Sequence, residues 1–118
     1  MSKFKDCFTS KLPNYRYDIV IDGEKFGTAH LLNAADQAYI EAMCITKKLV
    51  DGELQIDIQS HKNMTATIFK ALESWELGVP ITFEAIDDLT APIRLAVFTQ
   101  IQDHEDEQSQ VIEDNEKN

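Results

Sequence analysis

Histidine and cysteine are the side chains of this sequence best suited to metal binding or nucleophilic chemistry. His30 and His61 stand apart, and neither belongs to a His-x-x-x-His or Cys-x-x-Cys pattern that would bring ligands to one ion. Cys44 falls on the apolar stripe of a predicted helix and is expected in the core, and Cys7 lies in a polar leader without a base beside it. These patterns predict no metal, no cofactor and no nucleophile.

The carboxylates give no catalytic pair either. Asp87 and Asp88 are adjacent, so on a helix they would point about 100° apart and could not share a proton. Residues 103–107, DHEDE, could collect divalent cations weakly, but a flexible anionic run does not preorganise a coordination shell. The four glycines occur singly and build no phosphate-binding loop. We therefore expect a protein that is not an enzyme.

The charge of the chain restricts the classes of molecule that it can bind. Its net charge is -10, from 21 acidic and 11 basic side chains, and residues 103–118 hold seven acids against Lys117 alone. Such a chain repels nucleic acid and anionic lipid. The leader is too polar for a signal peptide, and no apolar run approaches the length of a membrane span. A cytoplasmic protein is expected.

Alternating apolar residues predict the first elements. Residues 15–21 and 24–32 alternate around Asp22 and Gly23, a dipeptide suited to a type I′ turn, and so predict a β-hairpin. Asn33 is placed to cap a helix over residues 34–44. A second hairpin is predicted around Asp51 and Gly52, with Leu54, Ile56 and Ile58 on one face.

Helices are predicted for the rest of the ordered chain. Asn63 begins one that runs to about Leu77, Thr82 caps a short one over 83–89, and Thr90 caps a last one with Pro92 in its first turn. The fold class is therefore α+β: two antiparallel hairpins packed with three or four helices, the helices burying the apolar face of each hairpin. The domain organisation is a flexible leader over 1–12, one domain over 13–102 and a disordered acidic tail over 103–118.

The C-terminal third resembles the tail-assembly chaperones of long-tailed, siphovirus-type bacteriophages. Residues 72–89 read LESWELGVPITFEAIDDL, followed by PIRL at 92–95 and FTQI at 98–101. The family has a tryptophan-containing segment, a gly-x-pro-(ile/val)-thr link, a short helix ending in leucine, and a last helix that leads into an acidic tail. The upstream segment LLNAADQA at 31–38 is also similar, so the resemblance spans residues 17–104 in order.

The resemblance implies a chaperone in the bacterial host cytoplasm that binds the tape-measure protein before the tail tube forms, recruits tail-tube subunits and is absent from the finished particle. Exposed apolar helix faces would serve client binding or self-association. The residues expected to contribute to that surface are Trp75, Phe83, Ile86, Leu89 and Phe98.

Two alternatives remain open from the residues alone. An acidic protein could mimic the charge of nucleic acid and inhibit a DNA-binding enzyme. A small α+β enzyme would instead need a pocket in which His30 or His61 lies beside a carboxylate of displaced pKa.

Overall fold

The computed structural model describes residues 8–58 and 60–116. After a single 3-10 turn at Thr9–Lys11, nine elements follow in the order β1, β2, α1, β3, β4, α2, β5, α3 and α4. Their bounds are β1 Arg16–Ile21, β2 Glu24–His30, α1 Ala34–Cys44, β3 Ile45–Val50, β4 Glu53–Ile58, α2 Ser60–Ala71, β5 Leu72–Trp75, α3 Phe83–Asp87 and α4 Ala91–Glu116. The predicted α+β class is confirmed. Of the predicted leader, residues 1–7, with Cys7, lie outside the described residues.

Both predicted hairpins form at the predicted turns. Asp22 and Gly23 have φ of 52° and 81°, and Asp51 and Gly52 have φ of 53° and 81°. Both residues of each turn therefore adopt a left-handed conformation, which aspartate tolerates better than most side chains. The Asn33 cap is also confirmed: its Oδ1 accepts from the Asp36 amide at 2.9 Å, and Asp36 Oδ2 accepts from the Asn33 amide at 3.2 Å.

A third strand joins the first hairpin where the sequence predicts helix. The helix α2 ends at Ala71, and β5 pairs antiparallel with β2 in the order β1-β2-β5. The prediction that this helix runs to about Leu77 was therefore wrong. Pairing along the second edge of β2 satisfies backbone groups that would otherwise be unpaired. Gly27 makes the pairing possible, since a Cβ there would lie 2.1 Å from the Ser74 carbonyl oxygen.

The core lies between this sheet and the helices. Its fully buried side chains come from β1, β2, α2, α3 and α4, and the last helix contributes Val97 and Ile101. Residues four apart lie on the same face of a helix, and both of these are 0% exposed, so this face of α4 is the one that packs on the core. Cys44 is buried, as predicted, and is a free thiol.

The helix α4 continues past Gln102 to Glu116, through most of the segment predicted as an acidic tail. The segment is held by contacts that composition does not reveal. His104 stacks on Tyr17 with ring centroids 3.7 Å apart, and Glu105 Oε1 accepts from the Leu32 amide at 2.7 Å. One turn earlier, the Gln100 amide bonds to both the N–H and the C=O of Val20, which covers the edge of β1.

The second hairpin forms a separate two-stranded sheet, β3-β4, to which no other described strand pairs. We call it the arm, residues 45–58. The expectation that helices bury the apolar face of both hairpins holds for the first and fails for the arm, because α1 and α2 pack chiefly on each other and α2 packs next on α3 and α4. The radius of gyration is 16.8 Å, whereas a compact domain of this length has about 13.5 Å. No helix within the described ranges is long and apolar enough to cross a membrane.

Candidate protein-binding surface

The arm exposes an apolar surface on one of its two faces. Its register places Leu49 opposite Leu54 and Lys47 opposite Ile56, so these four side chains share a face. Leu49 is 77% exposed, Leu54 61% and Ile56 58%. We call this set, Lys47, Leu49, Leu54 and Ile56, the arm face.

The opposite face of the arm is more polar. Lys48 lies opposite Gln55, and Val50 lies opposite Glu53. Alternation along each strand therefore separates an apolar face from a polar one, which is the pattern of a strand pair with one face buried. The described chain supplies nothing that covers the apolar one.

The physics of a lone hairpin makes this arrangement unfavourable without a partner. A two-stranded sheet is marginally stable in water, and full burial of a leucine or isoleucine side chain is worth roughly 1.5–3 kcal/mol relative to exposure. Lys47, placed among the three apolar residues, discourages unspecific stacking of arms. The arm face is therefore suited to a specific apolar partner.

The arm is attached without a linker at its first strand. The helix α1 ends at Cys44 and β3 begins at Ile45. Cys44 lies buried at this junction, where its Sγ contacts the Glu41 carbonyl at 3.5 Å and the Asn63 amide at 3.9 Å. This packing ties the base of the arm to both α1 and α2.

The five residues predicted to bind protein lie in or against the core instead of on one open surface. Ile86 is 0% exposed and has no area to offer a partner in this structure. Trp75 is partly buried, meets Phe26 edge-on at 6.2 Å and donates its indole N–H to the Val79 carbonyl at 2.6 Å. Packing within the protein therefore accounts for the presence of apolar side chains at Trp75 and Ile86.

The other three predicted residues are also partly buried. Phe83 joins an aromatic cluster with Phe69, at 5.0 Å between ring centroids, and with Tyr39. Leu89, between α3 and α4, and Phe98, on α4, pack against the same core. A binding role for any of the five residues stays a prediction.

Leu54 and Ile56 alternate along β4 as the sequence predicts, but their face is exposed where it was expected to be buried, so the arm was not predicted as a surface. Alternation alone reports that a face avoids water, and does not report which molecule covers it.

His30 occupies a structural position between β2, α2 and β5, and His61 is exposed on α2. His30 Nε2 lies 2.9 Å from the Lys70 carbonyl, and Nδ1 lies 3.6 Å from Glu73. The Glu73 carboxylate is also held by Arg16, whose Nε approaches its two oxygens at 3.0 and 3.1 Å. His30 thus has a carboxylate neighbour, but that carboxylate is engaged in an ion pair across β1 and β5.

Burial raises the pKa of two side chains that meet where α4 packs on the first hairpin, Tyr17 and Glu105. For Tyr17, the negative charge of Glu105 raises the pKa further. Burial is also the main reason that the pKa of Glu105 is raised above its ordinary value of 4.5, with the bond from the Leu32 amide acting in the opposite direction. Within the described residues, no group of three or more His, Cys, Asp or Glu side chains is arranged to hold a metal ion.

Comparisons of the chain with protein-family models, with curated proteins and with solved structures found no match.

Proposed function

We propose that this protein is a chaperone that shields apolar surface of another polypeptide during assembly, and that it acts as a bacteriophage tail-assembly chaperone on the tape-measure protein. The observation that carries the proposal is the uncovered arm face, three exposed apolar side chains on a two-stranded sheet that is only marginally stable by itself. The resemblance of residues 17–104 to tail-assembly chaperones supplies the identity of the client.

The chemistry of such a client fits the arm face. A long helix with an apolar stripe needs its stripe covered before assembly, and an open apolar sheet face can accept it without enclosing it. The binding is then reversible, as a chaperone requires. The net charge of -10 keeps the complex dissolved. Recruitment of tail-tube subunits, self-association and action in the bacterial host cytoplasm belong to the same proposal.

The test is co-expression with the tape-measure protein of the same phage or prophage. We expect the wild-type chain to keep that protein in the soluble fraction and to co-elute with it. The double variant Leu54→Thr, Ile56→Thr keeps strand propensity but removes two apolar contacts, so co-elution should fall at least ~tenfold.

The matched control is Glu53→Thr, Gln55→Thr, which introduces two threonines on the same strand but on the opposite face. It should retain the client at the wild-type level. Equal retention by both double variants would rule out the arm face as the binding surface, and an insoluble client with the wild-type chain would rule out the proposed function.

One observation favours a second candidate, an acidic mimic that inhibits a DNA-binding enzyme. The acidic residues Asp103, Glu105, Asp106 and Glu107 lie on the helix α4, so part of the acidic segment is carried by a folded element. This candidate predicts co-purification with a basic DNA-binding protein that is lost at high salt, because exposed charge pairs are screened. The arm-face variants would leave that interaction unchanged.

A further inference from the structure

A groove of ≈ 740 Å³ lies away from the arm, between the β1–β2 turn, the segment after β5 and the junction of α3 with α4. Its floor is apolar and comes from five side chains of those elements. They are Ile21, Phe26, Leu77, Leu89 and Ile93. Leu77 is 45% exposed, so the floor is open to solvent.

The rim of the groove is strongly acidic. Four carboxylates line it, Asp22, Glu24, Glu76 and Asp88, against one cation, Lys25. The Lys25 ammonium already lies 3.6 Å from Asp18, and among the described residues none of the four rim carboxylates forms an ion pair. Like charges around an apolar floor repel one another and focus a negative potential on the groove.

We propose that this groove binds a polypeptide segment that carries apolar side chains flanked by lysine or arginine. The apolar side chains lie on the floor, and the cations lie against the rim, where they relieve the repulsion between the carboxylates. An amphipathic helix with a basic polar face has this chemistry, and helix-in-groove binding is a recurring mode of recognition. None of the groove residues belongs to the arm, so this inference does not depend on the proposed function.

The experiment uses a short helical peptide with leucine on one face and lysine on the other, and a twin with glutamate in place of lysine. We expect the lysine peptide to bind the full chain, more weakly at high salt, and the glutamate twin not to bind. Amide chemical shifts should move at Phe26, Leu77 and Leu89. Shifts confined to the arm residues Leu49, Leu54 and Ile56, or no binding, would overturn the proposal.

Two triple variants separate the groove from the overall acidity of the chain. Glu24→Lys, Glu76→Lys, Asp88→Lys reverses the rim, and should weaken the lysine peptide at least ~tenfold, since three attractions become repulsions. The control reverses three exposed acids elsewhere, Glu41→Lys, Asp103→Lys, Glu107→Lys, with the same change of net charge. Circular dichroism verifies that both variants are folded.

The control variant should bind the peptide within about twofold of the wild type at moderate salt, because distant charges are screened. Equal weakening in both variants would overturn the proposal in favour of unspecific charge attraction. Self-association of the chain alone that the rim reversal abolishes would also overturn it, because the occupant would then be a second copy of this protein.

Discussion

At the scale of single residues, the most consequential ionisable group is Glu105. Its carboxylate holds the amide of Leu32 at the end of the first hairpin, and it lies beside the buried hydroxyl of Tyr17. Its neighbours Asp36 and Asp106 add to the effect of burial in raising its pKa. Among described residues, the Tyr17 hydroxyl has no hydrogen-bond partner.

The raised pKa of Glu105 predicts a pH dependence of stability. In the unfolded chain this carboxyl loses its proton near pH 4.5, whereas in the folded chain it keeps the proton to higher pH. Between these two pKa values the folded state binds more protons, so the contribution of Glu105 to the free energy of unfolding decreases as pH rises. We expect Glu105→Gln to remove that part of the decrease in urea unfolding measured from about pH 4 to about pH 8.

Glu107→Gln is the control, because Glu107 is exposed on the same helix. Its pH profile should follow the wild type. Parallel profiles for Glu105→Gln and the wild type would contradict the assigned role of burial at Glu105.

At the scale of elements, α4 shows how a polar segment becomes ordered. Residues 103–108 have almost no apolar content, yet His104 and Glu105 reach back to Tyr17 and Leu32 and extend the docking that Val97 and Ile101 begin. Helix formation is cooperative, so a docked N-terminal half supports the turns that follow it.

Truncation tests this docking. A chain that ends after Gln102 loses the His104 stacking and the Glu105 hydrogen bond, and should be less stable by roughly 1–3 kcal/mol in urea unfolding. A chain that ends after Gln108 keeps both contacts and should be close to the full chain. If the two truncations have equal stability, residues 103–108 do not help to hold α4.

At the scale of the whole molecule, the protein is extended and its two sheets are separate. The principal extents of 56 × 39 × 20 Å describe a flat, elongated protein, in which one sheet sits in a core and the other does not. The chain therefore separates a stable body from a surface that gains stability only when another molecule covers it.

Small-angle X-ray scattering tests the extended arm. At concentrations where the chain is monomeric, we expect a radius of gyration near the 16.8 Å of the structure. A value near the ~13.5 Å of a compact domain would mean that neither the arm nor the end of α4 extends from the body, and would remove the basis for the proposed function.

The sequence by itself determined most of the local structure. Asp22 with Gly23 and Asp51 with Gly52 specify tight turns through their backbone conformation, and Asn33 with Asp36 specifies a helix start through two hydrogen bonds. Such features depend on residues within a few positions of one another. The α+β class follows from them.

Only the tertiary structure decided which partner each of these elements has. Residues 72–75 become a strand because β2 offers an unpaired edge and Gly27 leaves room for it, and residues 103–108 stay helical because Tyr17 and Leu32 are within reach. The arm face and the acidic groove likewise depend on how the elements pack against one another. Long-range contacts choose among conformations of similar local free energy, and local sequence carries little information about that choice.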